Sequence, residues 1–236
     1  MLNFIFYFLF FCFTFSYGGE IFYQFGRGLY IKNNFWLGGY FSLNFWKRGD
    51  KHTFKFEDIA LLSRVNYKKV SLFSEIEAKG VFVSSNTEKN CNWNLDLQIE
   101  RLYFEYNHSR NLNLKLGRFL TPLGIWNKIH IDALKWTVSD PLVSRKFFPM
   151  FTTGIELYGF LPSIKNFKYE VFVQKNKGIN DSYNNLQPRN MFGLQIEKIF
   201  NINKKLGFNL GRFDEEITNE RYTFLGLYGK TKFKKL

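Results

Sequence analysis

The sequence predicts an all-β chain: an antiparallel, up-and-down transmembrane β-barrel with about ten strands. Three observations lead there. The chain opens on an apolar run that suits export, its body alternates apolar and polar residues with a period of two, and its connections are alternately short and long.

The opening run comes first because it sets the compartment. Phe4 to Phe15 is apolar throughout except for Thr14. A bilayer-spanning helix needs about 20 such residues, so the run reads as the hydrophobic region of a secretory signal. Ser16 and Gly18 supply small residues for cleavage, which makes 1–18 a signal peptide and 19–236 the mature domain. No Lys or Arg precedes the run, and Cys12 lies between Phe11 and Phe13, unlike a lipoprotein site. Cys91 is the one cysteine of the mature chain, so no internal disulfide is expected. The net charge of +13 is compatible with nucleic acid, anionic lipid or an anionic solute, and export disfavours the first. A joint excess of Asn, Lys, Phe and Ile reduces the weight of that charge. Aromatic residues reach 20%.

Strands follow from the alternation. Val70, Leu72, Ile76 and Ala78 are interleaved with Ser71, Phe73, Glu75, Glu77 and Lys79. Leu112, Leu114 and Leu116 alternate with Asn113, Lys115 and Gly117, and the same holds for 167–174 and 192–197. Successive side chains of a strand face opposite sides, so each segment has one apolar and one polar face. The strands expected are 35–47, 52–63, 69–82, 93–106, 111–119, 153–161, 167–175, 191–200, 206–213 and 221–233. In the fourth, Trp93, Leu95, Leu97 and Ile99 share one phase and Leu102, Phe104 and Tyr106 the other, so a bulge is expected near Glu100–Arg101.

Connections 64–68, 107–110, 162–166 and 201–205 are short, whereas 83–92, 120–152, 176–190 and 214–220 are long; 48–51 breaks the rule. Tight turns on one side and long loops on the other suit an outer-membrane barrel. A soluble sandwich with its apolar faces packed together is the competing architecture. The third outer loop, 120–152, exceeds ordinary connection lengths, and loops of that size are usually functional.

The stretches RLYFEYNHSRNLNLKLGRFLTPLGIWN (101–127), WTVSDPLV (136–143) and TGIELYG (153–159) resemble bacterial outer-membrane porin-like proteins, similar in style to the phosphate-selective porins. GGYFSLNFW (38–46) and FEDIALL (56–62) fit the first strands of that group. The resemblance implies passive diffusion of small hydrophilic solutes through an outer-membrane barrel. It does not imply phosphate, because no complete binding ladder is present. Proteins of that kind are longer and end on an aromatic residue, whereas this chain ends Lys234-Lys235-Leu236. An incomplete barrel is therefore expected beside a closed ten-strand one. Lipid disfavours the former, since each unpaired backbone group at an open edge costs several kcal/mol.

The expected pore-lining or constriction residues are Arg101, Lys115, Arg118, Trp126, Lys128, His130, Arg145 and Lys168. Lysines and arginines on a lumen wall or on an inward-folded loop favour anions, so a mild anion preference is expected. Apolar residues in 120–152, such as Ile125, Trp126, Ile131, Leu134 and Phe147, suggest a loop packed against something rather than splayed into water. A filled-lumen binding or structural barrel is the alternative function, and a soluble exported β protein a further one. Expected partners are outer-membrane lipid, small anionic or neutral solutes and, in a homo-oligomer, further copies of the chain; nucleic acid is not expected.

No enzyme is expected. His52, His108 and His130 fall on different connections, no pair has metal-ligand spacing, and no Gly-x-Ser-x-Gly occurs. Gly26 and Gly28 precede no helix, which argues against a nucleotide loop, so neither cofactor nor metal is expected.

Overall fold

The structure is a computed structural model that describes residues 21–24, 27–32, 34–86, 88–92, 95–128, 142 and 146–232. The expected signal peptide, His130 and Arg145 lie outside the described residues. The chain is all-β and antiparallel, with up-and-down topology, and divides into two compact units, Met1–Ile99 and Glu100–Leu236.

In the first unit, β1 (Ile21–Gln24), β2 (Gly28–Ile31), β3 (Phe35–Arg48), β4 (Lys51–Tyr67) and β5 (Val70–Ser85) pair in sequence order, and β6 (Glu88–Asn92) folds back on the end of β5. β7 (Asp96–Asn107) crosses the division. The second unit continues with β8 (Asn113–Leu120), β9 (Phe151–Phe160), β10 (Phe167–Gln174), β11 (Pro188–Asn201), β12 (Lys204–Glu215) and β13 (Arg221–Thr231). Each of these also pairs with its sequence neighbour.

The described strands number thirteen, not ten. β1 and β2 form a hairpin ahead of the first expected strand. They are four residues each, too short to show a period, and Phe22 stacks on Tyr30 at 4.7 Å to hold them. β6, EKNCN, has no alternation either and lies within the expected connection 83–92. The other strands match their expected positions to within a few residues. In β7 the buried positions pass from Gln98 and Glu100 to Tyr103, so the phase changes where the sequence requires it.

The short turns have local causes. β3 and β4 are joined through Gly49 at φ 62°, and β4 and β5 through Lys68-Lys69, with Lys68 at φ 52°. A two-residue hairpin needs positive φ to follow the right-handed strand twist. Within the second unit, the long connections 121–150 and 175–187 lie at one end of the sheet and the short turns 108–112, 161–166 and 202–203 at the other.

In each unit the faces are polarised the opposite way from a water-soluble core. On β5, Ser71, Phe73, Glu75 and Glu77 are buried while Ile76 is exposed. On β10, Glu170, Phe172 and Gln174 are buried while Val171 and Val173 are exposed. Among the described residues, buried polar and charged side chains outnumber buried apolar ones. Glu75 is 0% exposed and Glu156 1%, against 66% for Phe41, 69% for Leu225 and 76% for Leu227. The exposed residues align across strands: Leu116 pairs with Ile155, Leu114 with Leu157, Leu157 with Val171, and Val173 with Phe192. A contiguous apolar face of this kind marks an interface or a membrane-facing surface, because a monomer in water rarely exposes more than a few hundred Å² in one patch.

Within the polar face of the second unit, large rings lie over glycines of the adjacent strand. A Cβ on Gly193 would come within 2.2 Å of the Phe172 ring, one on Gly211 within 2.2 Å of Phe224, and one on Gly207 within 2.1 Å of Tyr228. Each pair is also directly opposite in the ladder.

Candidate functional site

The polar face of the second unit carries carboxylates, lysines and tyrosines that meet in clusters around Glu156, Glu170 and Glu197. Strand pairing places Lys115 on β8 opposite Glu105 on β7 and Glu156 on β9. Its ammonium lies 2.7 Å from Glu156 and about 5 Å from the centres of the Tyr103 (5.1 Å), Phe119 (5.3 Å) and Tyr158 (5.0 Å) rings. The aromatic faces and the carboxylate together replace the water that a buried cation loses. Tyr158 in turn donates to Glu105 at 2.5 Å.

On β10, opposite Tyr158, stands Glu170. One of its oxygens takes Lys168 at 2.8 Å; the other accepts from Gln195 of β11 at 2.8 Å and also meets Lys128. Further along, Glu197 receives Lys205 at 2.8 Å and the Tyr228 hydroxyl at 3.0 Å. Each lysine of this set meets a glutamate, Lys128 and Lys168 sharing Glu170.

Lys128 is the member that does not come from a strand. It belongs to the outgoing leg of the 121–150 connection, and its placement shows that this leg lies on the polar face. Burial pushes the Lys128 ammonium below its usual range, and the Glu170 carboxylate opposes that shift. The base of the connection is fastened by short bonds. Thr121 N donates to Met150 O at 2.9 Å, the Thr121 and Thr152 hydroxyls meet at 2.8 Å, and Asn127 Nδ2 donates to Thr121 O and Met150 O at 2.6 and 3.0 Å. Leu123 is wholly buried here, and Trp126 half-buried. The returning leg lies on the same face: Phe148 packs on Phe224 at 6.2 Å between ring centres.

Arg118 is placed differently from the other basic residues named by the sequence. It shares the strand phase of Leu114 and Leu116, not that of Lys115, yet it is 0% exposed. The 175–187 connection covers it. Arg118 donates to Ile179 O and, at 3.1 Å, to Glu100 O, and its guanidinium lies 4.4 Å from the Phe151 ring centre. Ile179 N donates to the Thr153 hydroxyl at 3.0 Å. Asn184 holds both backbone groups of Phe151, and Asn185 holds Met150 N and Phe148 O. The 175–187 connection is thus a clasp on the strand end and on the returning leg. Lys177 and Arg189 both bind Glu216, which ties the clasp to the next connection. Those two cations, Arg189 first, hold the Glu216 carboxyl down at about 2.

The remaining basic candidates are Arg101, half-buried on β7, and Lys168, already described at Glu170. Lys128 and Lys168 therefore meet at Glu170, Lys115 lies on the same face at Glu156, and Arg118 stands apart. Sequence reasoning did not single out Glu156, Glu170, Gln195 and Glu197 as partners. Their alternation with apolar residues was visible, but pairing partners 25 to 42 residues apart were not. Tyr103 and Tyr158 both turn their rings toward Lys115. Among the described residues, no group of His, Cys, Asp or Glu is arranged to hold a metal ion, and no helix is long and apolar enough to cross a membrane.

No family model matches the chain. It is similar to an uncharacterized protein of Aquifex aeolicus (strain VF5), 29% identical over 135 residues, which covers 55% of this chain. The match spans 30% of that relative's length.

Proposed function

We propose that the chain is a porin-like outer-membrane β-barrel that passes small hydrophilic solutes by diffusion. The observation that carries the reading is the inverted polarity of both units. Leucines, valines and phenylalanines are aligned and exposed, while glutamates, glutamine and asparagine are buried behind them. In water, leaving the apolar face bare would forfeit about 25 cal/mol per Å² of burial, whereas against acyl chains it costs nothing. Strand lengths agree with this reading. β3, β4, β5, β7, β9, β11, β12 and β13 each have ten or more residues, and a tilted strand needs about 9–11 to cross. The expected leader fits delivery to the outer membrane, and a homo-oligomer is compatible with the exposed apolar face.

The proposed solutes are small and hydrophilic, anionic or neutral. The anion preference is mild, because the lysines of the polar network are already matched by carboxylates. It rests on the lysines and arginines expected on the wall and along 120–152. Reconstitution in planar bilayers tests the reading: discrete conductance steps with a reversal potential weakly on the anion side are expected, and the absence of channels would remove it.

A filled-lumen barrel without transport is the second reading. Both legs of the 121–150 connection lying on the polar face favour it. Liposome swelling separates the two, since a filled barrel admits no sugar.

A further inference from the structure

We propose that the outward face of β11, β12 and β13 binds the phosphate of an anionic lipid headgroup through Arg212 and Arg221, with Arg189 at the border of the site. This rests on the outer-membrane reading and deepens it by naming where one lipid is held.

The ladder sorts the outward side chains of these strands into rows. Leu194, Leu210 and Leu225 form one row, and Ile196, Phe208 and Leu227 another. Toward the long connections the rows change character. Phe192, Arg212 and Thr223 come first, and then Arg189, Asp214 and Arg221. An apolar band that ends on guanidinium groups suits a wall passing from acyl chains to phosphates.

Arg212 is the member that calls for an outside partner. It is half-buried, one row inside the row of Arg189 and Arg221, and among the described residues its side chain has no hydrogen bond or ion pair. The nearest carboxylate along its strand face, Asp214, is already taken by Arg221 Nε at 2.7 Å and Asn190 Nδ2 at 3.1 Å. A charge on a lipid face costs more the deeper it lies, and a long side chain that reaches up to a phosphate avoids that cost. Arg221 gives Asp214 its Nε, which leaves both terminal nitrogens for a second acceptor. A guanidinium fork matches phosphate oxygens in pairs.

The carboxylates of the row lie beneath its cations. The Arg189 and Arg221 side chains are 45% and 60% exposed, against 14% and 29% for Glu216 and Asp214. Glu215, in the opposite phase, is buried and accepts from Gln187 N on both oxygens. A cleft of about 420 Å³ is lined by Arg189, Arg221, Asn190 and Asn219 together with these three carboxylates. The surface offered outward is therefore cationic, with amide donors beside it.

The test is native mass spectrometry of the full chain in detergent with equimolar phosphatidylglycerol and phosphatidylcholine. Wild type should retain phosphatidylglycerol about fivefold or more in preference, and Arg212→Gln and Arg221→Gln should each bring the ratio close to parity. Lys165→Gln, on a short turn at the other end of the sheet, should leave the ratio unchanged. Arg221 is exposed, so its variant serves should Arg212→Gln not fold. Parity in the wild type, or an undiminished preference in the folded variants, would overturn the proposal. Displacement of the lipid by millimolar inorganic phosphate would assign the site to free phosphate and overturn the lipid claim. Flotation with vesicles separates the two levels. A chain that does not float removes the outer-membrane reading, whereas one that floats and shows no preference refutes only this site.

Discussion

The two units build their polar faces from the same kinds of residue but satisfy them differently. In the first, the bonds run from wall to wall. Tyr40 on β3 donates to Glu75 and Glu77 on β5 at 3.2 and 3.5 Å, Ser42 donates to Asp58 on β4 at 3.0 Å, and Lys79 meets Glu77 at 3.2 Å. In the second, connections enter the network: Lys128 reaches Glu170 and Phe148 reaches Phe224. Among the described bonds, those of the first unit join strand to strand. A network shared with a connection couples the sheet to whatever that connection controls. On the channel reading, substitutions in the first unit should act on folding, and those on the connection of the second should act on permeation.

The largest expected effect challenges the premise behind both units, that the apolar face meets lipid. Val171→Arg, on the exposed face of β10, should cost about 2–4 kcal/mol in a bilayer. Urea titration of the reconstituted protein measures it, and an unchanged midpoint would point to a soluble protein. Next comes Gly117→Ala on β8. Gly117 has φ +132°, and a Cβ there would lie 2.3 Å from Leu102 O. Strain of that kind is worth about 1–3 kcal/mol, again read in urea.

Tyr40→Phe sharpens the contrast between the units. It should lower stability by about 1 kcal/mol, the usual net worth of a hydrogen bond, and leave conductance unchanged. Altered conductance would mean that the first unit's network also governs permeation. The smallest effect concerns the clasp. The Glu216 carboxyl, held at about 2 by Arg189 and Lys177, is depressed from its ordinary value of 4.5. Its contribution is present above the unfolded value and is lost as pH falls from about 4.5 toward 2. Limited proteolysis with pepsin should find the 175–187 connection cut more readily at pH 2 than at pH 4. Glu216→Gln should remove that difference.

Much of the fold was legible because a period of two is a local property. Each long strand announces its two faces within a few residues, and the phase change near Glu100 was readable for the same reason. β1, β2 and β6 were not legible: four or five residues hold too few repeats for a period to emerge. The site was legible in part. Lys115 and Lys168 follow from alternation along their strands. Arg118 follows the leucines in phase, and its burial depends on a connection more than fifty residues later, which no local pattern encodes. The Lys128–Glu170 pair is long-range in the same way, joining residues 42 positions apart.

The rings seated over glycines carry a consequence for assembly. Phe172 over Gly193, Phe224 over Gly211 and Tyr228 over Gly207 behave as detents between neighbouring ribbons. Sliding β10 along β11 by two residues would set Phe172 against Met191 or Gln195, where a side chain fills the hollow. Such notches act like the teeth of a zip: a misaligned ribbon cannot click home, so proofreading of alignment is built into the wall itself.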